Sequence, residues 1–207
     1  MEILDRNFYT RDTLTVAKEL LGKVLVHQTS EYTVAGRIVE TEAYLGPEDK
    51  AAHSYGGKVT PRVEIMYNIG GFSYIFTIYG MYQCFNIVTE QQGTPQAVLI
   101  RALEPVDHLD FMAYRRFDKA YSELSSKQIK DLTNGPGKLC IAMGLGKEQN
   151  KIDMCVRNHA DDIYVYDDGC KDFEIEASPR INIDYAEEFV AMPWRFIMKG
   201  NKYISKK

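Results

Sequence analysis

Apolar and polar positions alternate first at helical and then at strand spacing. From Asp12 to Leu21, Leu14, Ala17, Leu20 and Leu21 form an apolar stripe, with Asp12 placed to cap the helix and Gly22 to stop it. Lys23–Gln28 and Tyr32–Thr41 are rich in β-branched residues and predict two strands across a Thr29-Ser30-Glu31 turn. The periodicity then lapses. Between Tyr44 and Gly71, the pairs Gly46-Pro47, Gly56-Gly57, Thr60-Pro61 and Gly70-Gly71 mark a long loop, and such loops are commonly functional.

The clearest strand signal is FSYIFTIYGMYQCFNIV, residues 72–88, in which Tyr74, Phe76 and Ile78 share one face. Gly80 breaks the run and a second strand starts near Met81. Gln96–Leu103 predicts another strand, with Arg101 interrupting its apolar residues. Helices are expected around 107–117 and 123–133, and a third from Pro136, a favoured first-turn residue, to Gly144. The last third predicts strands, including a hairpin turning at Asp168-Gly169 and a strand in PWRFIMKG. No repeat, low-complexity tract or linker interrupts this order. The expectation is a single α+β domain over residues 1–207.

Composition narrows the class. With 207 residues, 45% apolar and 26% charged, the chain can bury a substantial core, which excludes disorder and disulfide miniproteins. No apolar run is long enough to cross a bilayer, and MEILDRNFYT lacks a signal-peptide core, so an intracellular location without membrane attachment is expected. The net charge of −4 argues against nucleic acid when taken whole. Its distribution says otherwise. Asp161–Glu176 holds seven acids and one lysine, whereas the stretch from Pro193 holds Arg195, Lys199, Lys202, Lys206 and Lys207 and no acid. Most such segregation is solvated surface. Cys84, Cys140, Cys155 and Cys170 form no CxxC and no zinc-finger spacing with histidine, so no disulfide or structural zinc is assigned.

Candidate chemistry concentrates in GRIVETEAYLGPEDKAAHS, residues 36–54. Glu40 and Glu42 alternate along a strand and share a face, ahead of His53. They read as an acid/base pair, as half of a metal site, or as ordinary surface acids. GxGxxG, Walker, HExxH and GxSxG motifs are absent. In the aromatic hairpin, core is the commoner meaning of Tyr74 and Phe76. Tyr79-Gly80-Met81-Tyr82, however, sets three large side chains at a turn that cannot bury them all, which suits a wedge into a partner.

The stretches LLGKVLVH, GRIVETEAYLGPEDKAAHSYGGKVTPR, IYGMYQCFNI, VLIRALEP, NGPGKLC and, more weakly, PWRFIMKG resemble the alkyladenine (3-methyladenine, or methylpurine) DNA glycosylase family over most of the chain. The resemblance implies a base-excision repair enzyme built on a curved antiparallel sheet with a protruding, DNA-inserting β-hairpin. It would bind duplex DNA through the minor groove as a monomer, flip an alkylated purine and hydrolyse its N-glycosidic bond without a cofactor, metal or lyase step. By position, Glu42 would be the general base. Arg101 would help hold the attacking water, with the main-chain carbonyl of Ile181. Tyr44, His53 and Phe76 would line the base pocket, and Asn86 would screen against guanine's amino group. Tyr79 would fill the vacated space, beside Gly80, Met81 and Tyr82, while Lys58, Thr60, Arg62 and Lys138 would contact DNA. Phe76 stands where the family commonly has tyrosine, which keeps the stacking face and loses a hydroxyl. Two alternatives remain open: a non-enzymatic damaged-DNA binding module, and a metal-dependent hydrolase using Glu40, Glu42 and His53.

Overall fold

The computed structural model describes residues 2–157 and 161–205. Strand β1 (Glu2–Ile3) precedes helices α1 (Arg6–Tyr9) and α2 (Thr13–Glu19), then strands β2 (Val24–Thr29) and β3 (Thr33–Tyr44). β4 (Ser73–Ile78), β5 (Tyr82–Thr89) and β6 (Gln96–Asp107) follow the long loop, which holds only 3-10 turns. Next come α3 (Leu109–Phe117), α4 (Ser126–Lys130) and α5 (Pro136–Met143), and then β7 (Asp161–Asp167), β8 (Ile175–Ser178) and β9 (Arg195–Met198).

All the strand pairs are antiparallel, in the order β1-β7-β2-β3-β6-β5-β4, with β9 paired to β3 and β8 to β9. The sheet is open. The edge strands β1 and β4 each have one partner, so the acidic β7 lies toward the end remote from the β4–β5 hairpin.

Local chemistry explains most element ends. The Asp12 carboxylate accepts from the Thr15 N–H at 2.8 Å and starts α2, whose Val16 and Ala17 are fully buried, as is Leu20 just after it. Pro136 opens α5, and Gly144, at φ +71°, closes it by donating to the Cys140 carbonyl. Leu139, Cys140, Ala142 and Met143 of α5 join Phe85, Ile87, Ile100 and Leu103 of the sheet in the main core, which runs from Leu4 to Tyr203.

Two expectations fail. The helix expected over 123–133 is only Ser126–Lys130, because Ser125 and Gln128 cap one another and start it late. Before it, Glu123 bonds back to the Ala120 N–H and closes a separate 3-10 turn. Asp168-Gly169 does turn the chain, with Gly169 at φ +85°, but it closes no hairpin. β7 pairs with β1 and β2, while β8 pairs with β9.

β3 places the chemistry. Thr41 and Ala43 face α2 and the core, the Thr41 hydroxyl donating to the Ala17 carbonyl at 2.8 Å. Glu40, Glu42 and Tyr44 take the opposite face. Opposite them, the β3–β6 register shifts on both sides of Glu40, leaving Val39 and Arg101 without a direct partner. Such bulges re-aim a side chain, and here Arg101 turns toward both carboxylates.

Candidate active site

Glu40 and Glu42 are both fully buried, against the surface reading of strand-end acids. Burying a carboxylate is costly unless it is paired and hydrogen-bonded, and both are. Glu40 accepts from Arg101 Nε at 3.0 Å, Arg195 Nε at 2.7 Å, the Ser205 hydroxyl at 2.8 Å and the Ser205 N–H at 2.6 Å. Glu42 accepts from the Ile181 N–H on Oε1 at 2.7 Å, and on Oε2 from the Tyr44 hydroxyl at 2.9 Å and Arg101 Nη1 at 3.2 Å. Two carboxylates thus meet two buried guanidiniums. Burial opposes the charge on Arg101, but Glu42 and Glu40 outweigh it and raise its pKa. Burial, then the charge of Glu42, pushes the Tyr44 hydroxyl well up, so Tyr44 stays a neutral donor.

A carboxylate has about four acceptor positions, and three on Glu42 are filled. The remaining one is on Oε1; Glu42 itself is fully buried, but its three partners, Tyr44, Arg101 and Ile181, all line the neighbouring cavity. That cavity has a volume of about 360 Å³, in the range of about 300–1,000 Å³ usual for small-molecule sites. Its lining brings together Tyr44, His53, Phe76, Tyr79, Asn86, Arg101 and Ile181, seven of the residues expected at the site. Asn86 is buried and spends its amide hydrogens on the Tyr74 and Cys84 carbonyls at 3.0 and 3.2 Å, which leaves its oxygen as the free acceptor.

His53 stands exposed at the rim, its ring 4.4 Å from that of Phe76. Nδ1 meets the Tyr74 hydroxyl at 2.7 Å, and Nε2 lies 3.4 Å from Arg62 Nη2. Packing among these rings, and secondly the Arg62 guanidinium, lower its pKa to about 4, so the imidazole is neutral near pH 7. The Arg62 guanidinium also sits 5.2 Å over the Phe76 ring. Arg62, expected only at DNA, therefore also packs against two lining residues, His53 and Phe76, without lining the cavity itself.

The hairpin tip is exposed: Tyr79 at 81%, Met81 at 69% and Tyr82 at 41%. Tyr79 and Gly80 both have positive φ, +49° and +71°, the sign pattern of a tight hairpin turn. Glycine tolerates that conformation, whereas tyrosine adopts it at a cost. Tyr82 packs on the start of α5, where a Cβ on Gly137 would lie 3.1 Å from the tyrosine side chain. Lys58 and Thr60 are exposed in the loop beyond His53. Lys138 is held by Asp131 at 3.1 Å and Asn134 at 2.7 Å. Of the basic C-terminal stretch, Lys206 and Lys207 lie outside the described residues. Among the described residues, no three His, Cys, Asp or Glu are grouped to hold a metal, and Glu40, Glu42 and His53 are each committed to other partners.

Several contributors escaped the sequence reading. Arg180, buried with Asp49, donates to its two oxygens at 2.6 and 2.8 Å and to the Ala43 carbonyl at 3.0 Å. Its guanidinium lies between the Tyr44 and Trp194 rings, 4.7 and 4.9 Å from their centres. It thereby steadies Tyr44 and the neighbouring Ile181 N–H. Tyr74 orients His53, and Arg195 and Ser205 brace Glu40. Alternation along a strand could have found Tyr74; nothing local marks Arg180.

Comparison with known proteins bears on the same residues. The family described as methylpurine-DNA glycosylase matches residues 7–202. A relative from Desulfitobacterium hafniense is 54% identical over 207 residues, and one from Clostridium novyi 52%, each covering all of both chains. A third, from Alkaliphilus oremlandii, is 51% identical over 99% of each chain. All three carry the provisional name 3-methyladenine DNA glycosylase. By this full-length match, the chain belongs to the methylpurine-DNA glycosylase family.

Proposed function

We propose that the chain, acting as a single-domain monomer, excises 3-methyladenine and other alkylated purines from duplex DNA by hydrolysing the N-glycosidic bond. The observation that carries this reading is Glu42: a buried carboxylate with one acceptor position left, beside a cavity lined by Tyr44, His53 and Phe76. A flipped base is held by its faces and read along its edge. Tyr44 and Phe76 supply the faces, His53 meets the edge, and the Asn86 oxygen occupies the space where a 2-amino group would have to fit.

In the proposed reaction, water held by Glu42, Arg101 and the Ile181 carbonyl attacks C1′. The C–O bond forms as the C1′–N bond breaks, its electron pair neutralises the cationic alkylated purine, and the water proton passes to Glu42. Among the described residues the cavity lining contains no lysine, which favours hydrolysis over a Schiff-base lyase route. Tyr79 enters from the minor groove and fills the gap left by the nucleotide. Lys58, Thr60, Arg62 and Lys138 meet the DNA around it, with Gly80, Met81 and Tyr82 completing the tip. A deaminated purine such as hypoxanthine carries no positive charge and would leave more slowly.

The test is direct. Duplex DNA containing 3-methyladenine, and separately hypoxanthine, is incubated with the protein, and the released base and abasic site are measured. Release of 3-methyladenine without strand cleavage is expected. Retention of that base in DNA would refute the reading.

A further inference from the structure

Two large hydrophobic residues lining the cavity stand mostly in solvent: Tyr79, at 81%, and Tyr185, at 66%. A tyrosine that exposed adds little to the core. The backbone carrying Tyr185, however, is firmly braced. Arg180 is locked to Asp49, the Ile181 N–H is on Glu42, Ile183 is buried against Ala51 and Ala186, and the Ala186 N–H returns to the Ile183 carbonyl at 2.8 Å. Asn182, inside this segment, is held at φ +59°. An exposed ring on a rigid platform beside the reactive carboxylate serves a ligand better than it serves the fold.

Charge decides which part of the ligand it meets. The segment around Tyr185 carries Asp184, Glu187 and Glu188; among the described residues Lys50 is set against the two glutamates at 2.6 and 2.8 Å, while the nearby Arg180 is already paired with Asp49. Three acids against one lysine leave the patch negative, so it repels a phosphate. The uncharged ring face is what remains. Resting on the glycosylase reading above, we propose that Tyr185 is a substrate-contacting residue, whose ring packs against the extruded nucleoside and shields the Ile181–Asn182 side of the pocket, with the water held there, from bulk solvent. Its hydroxyl is dispensable and its ring is not.

The experiment compares wild type, Tyr185→Phe and Tyr185→Ala in single-turnover excision of 3-methyladenine from duplex DNA, with melting temperature and salt dependence measured alongside. Tyr185→Phe should stay within about twofold of wild type and Tyr185→Ala should be slowed at least about tenfold, the scale of one lost ring contact to a base. Both variants should melt close to wild type and keep its salt dependence, as expected for an exposed group that touches no phosphate. An alanine variant as fast as wild type, or a phenylalanine variant as slow as alanine, overturns the proposal. A wild-type protein that leaves 3-methyladenine in place refutes the glycosylase reading itself. That outcome is distinct from an active wild type with a silent Tyr185→Ala.

Discussion

Replacing Tyr79 by glycine separates the needs of the fold from those of DNA. About a fifth of this residue is covered, given its 81% exposure. On a side chain that buries about 200 Å² when enclosed, the loss is roughly 40 Å², or about 1 kcal/mol. Glycine adds an entropic cost of about 0.5–1 kcal/mol. Against these stands the relief of a non-glycine residue at φ +49°, worth about 1–2 kcal/mol. The terms nearly cancel. For a chain of this size the melting temperature should stay within about 4 °C of wild type, since each kcal/mol shifts it by about 2–4 °C. A buried ring would cost about 3–5 kcal/mol instead. Excision should nevertheless fall by about thirtyfold if the ring offsets about 2 kcal/mol of unstacking. Differential scanning fluorimetry and single-turnover excision read the two effects, and the deficit should shrink when the target base is mispaired. A drop beyond about 6 °C, at which the buried-ring cost begins, with excision per folded molecule intact, would refute the wedge role.

Glu42→Gln should slow excision by at least about 10²–10⁴-fold. It should also lower the melting temperature, because either amide orientation sets an NH₂ against the Ile181 N–H or against the Tyr44 and Arg101 donors; excision within a few fold of wild type removes Glu42 from the base role. His53 should stay neutral until about pH 4, so no activity step between pH 5 and 8 belongs to it. Its depressed pKa means that the folded state binds fewer protons than the unfolded chain, so its contribution to stability is full above about 6.5 and fades as pH falls toward 4. An imidazole NMR titration near 6.5 would contradict this. Affinity for duplex DNA should fall steeply with salt, and Lys58→Ala should reduce the log–log slope by about 0.9, with Lys138→Ala reducing it less because Asp131 already pairs with it. A flat salt response would point away from duplex DNA.

Features resting on neighbouring residues were legible in the sequence. The Asp12 cap, the Pro136 and Gly144 limits of α5 and the shared face of Glu40 and Glu42 all follow from spacing, and the exposed hairpin tip follows from too many large residues at one turn. The family motifs then brought Glu42, Arg101 and His53 together. Features that depend on distant partners were not legible. Asp49 and Arg180 are 131 positions apart, and neither flanking sequence announces a buried ion pair. The Asp168-Gly169 turn was read correctly as a turn and wrongly as a hairpin, because turn residues do not specify which strand the chain joins next. Burial of the two carboxylates was undecided for a related reason: Glu40 depends on Arg195 and Ser205, 155 and 165 positions later, and Glu42 on the Ile181 N–H, 139 positions later.

The alternation of β3 constrains which length changes this chain can tolerate. Thr41 and Ala43 anchor the strand to the core while Glu40, Glu42 and Tyr44 point into the chemistry, so a residue inserted between Glu40 and Ala43 would turn the residues on one side of it onto the wrong face. A carboxylate or Tyr44 would then be driven into hydrocarbon. The link between β5 and β6 is under no such rule. It crosses the surface at Gln91–Thr94, and residues gained or lost there leave the register of Arg101 untouched. Length variation in lineages of this sequence should therefore collect at that link and be purged from the central strand.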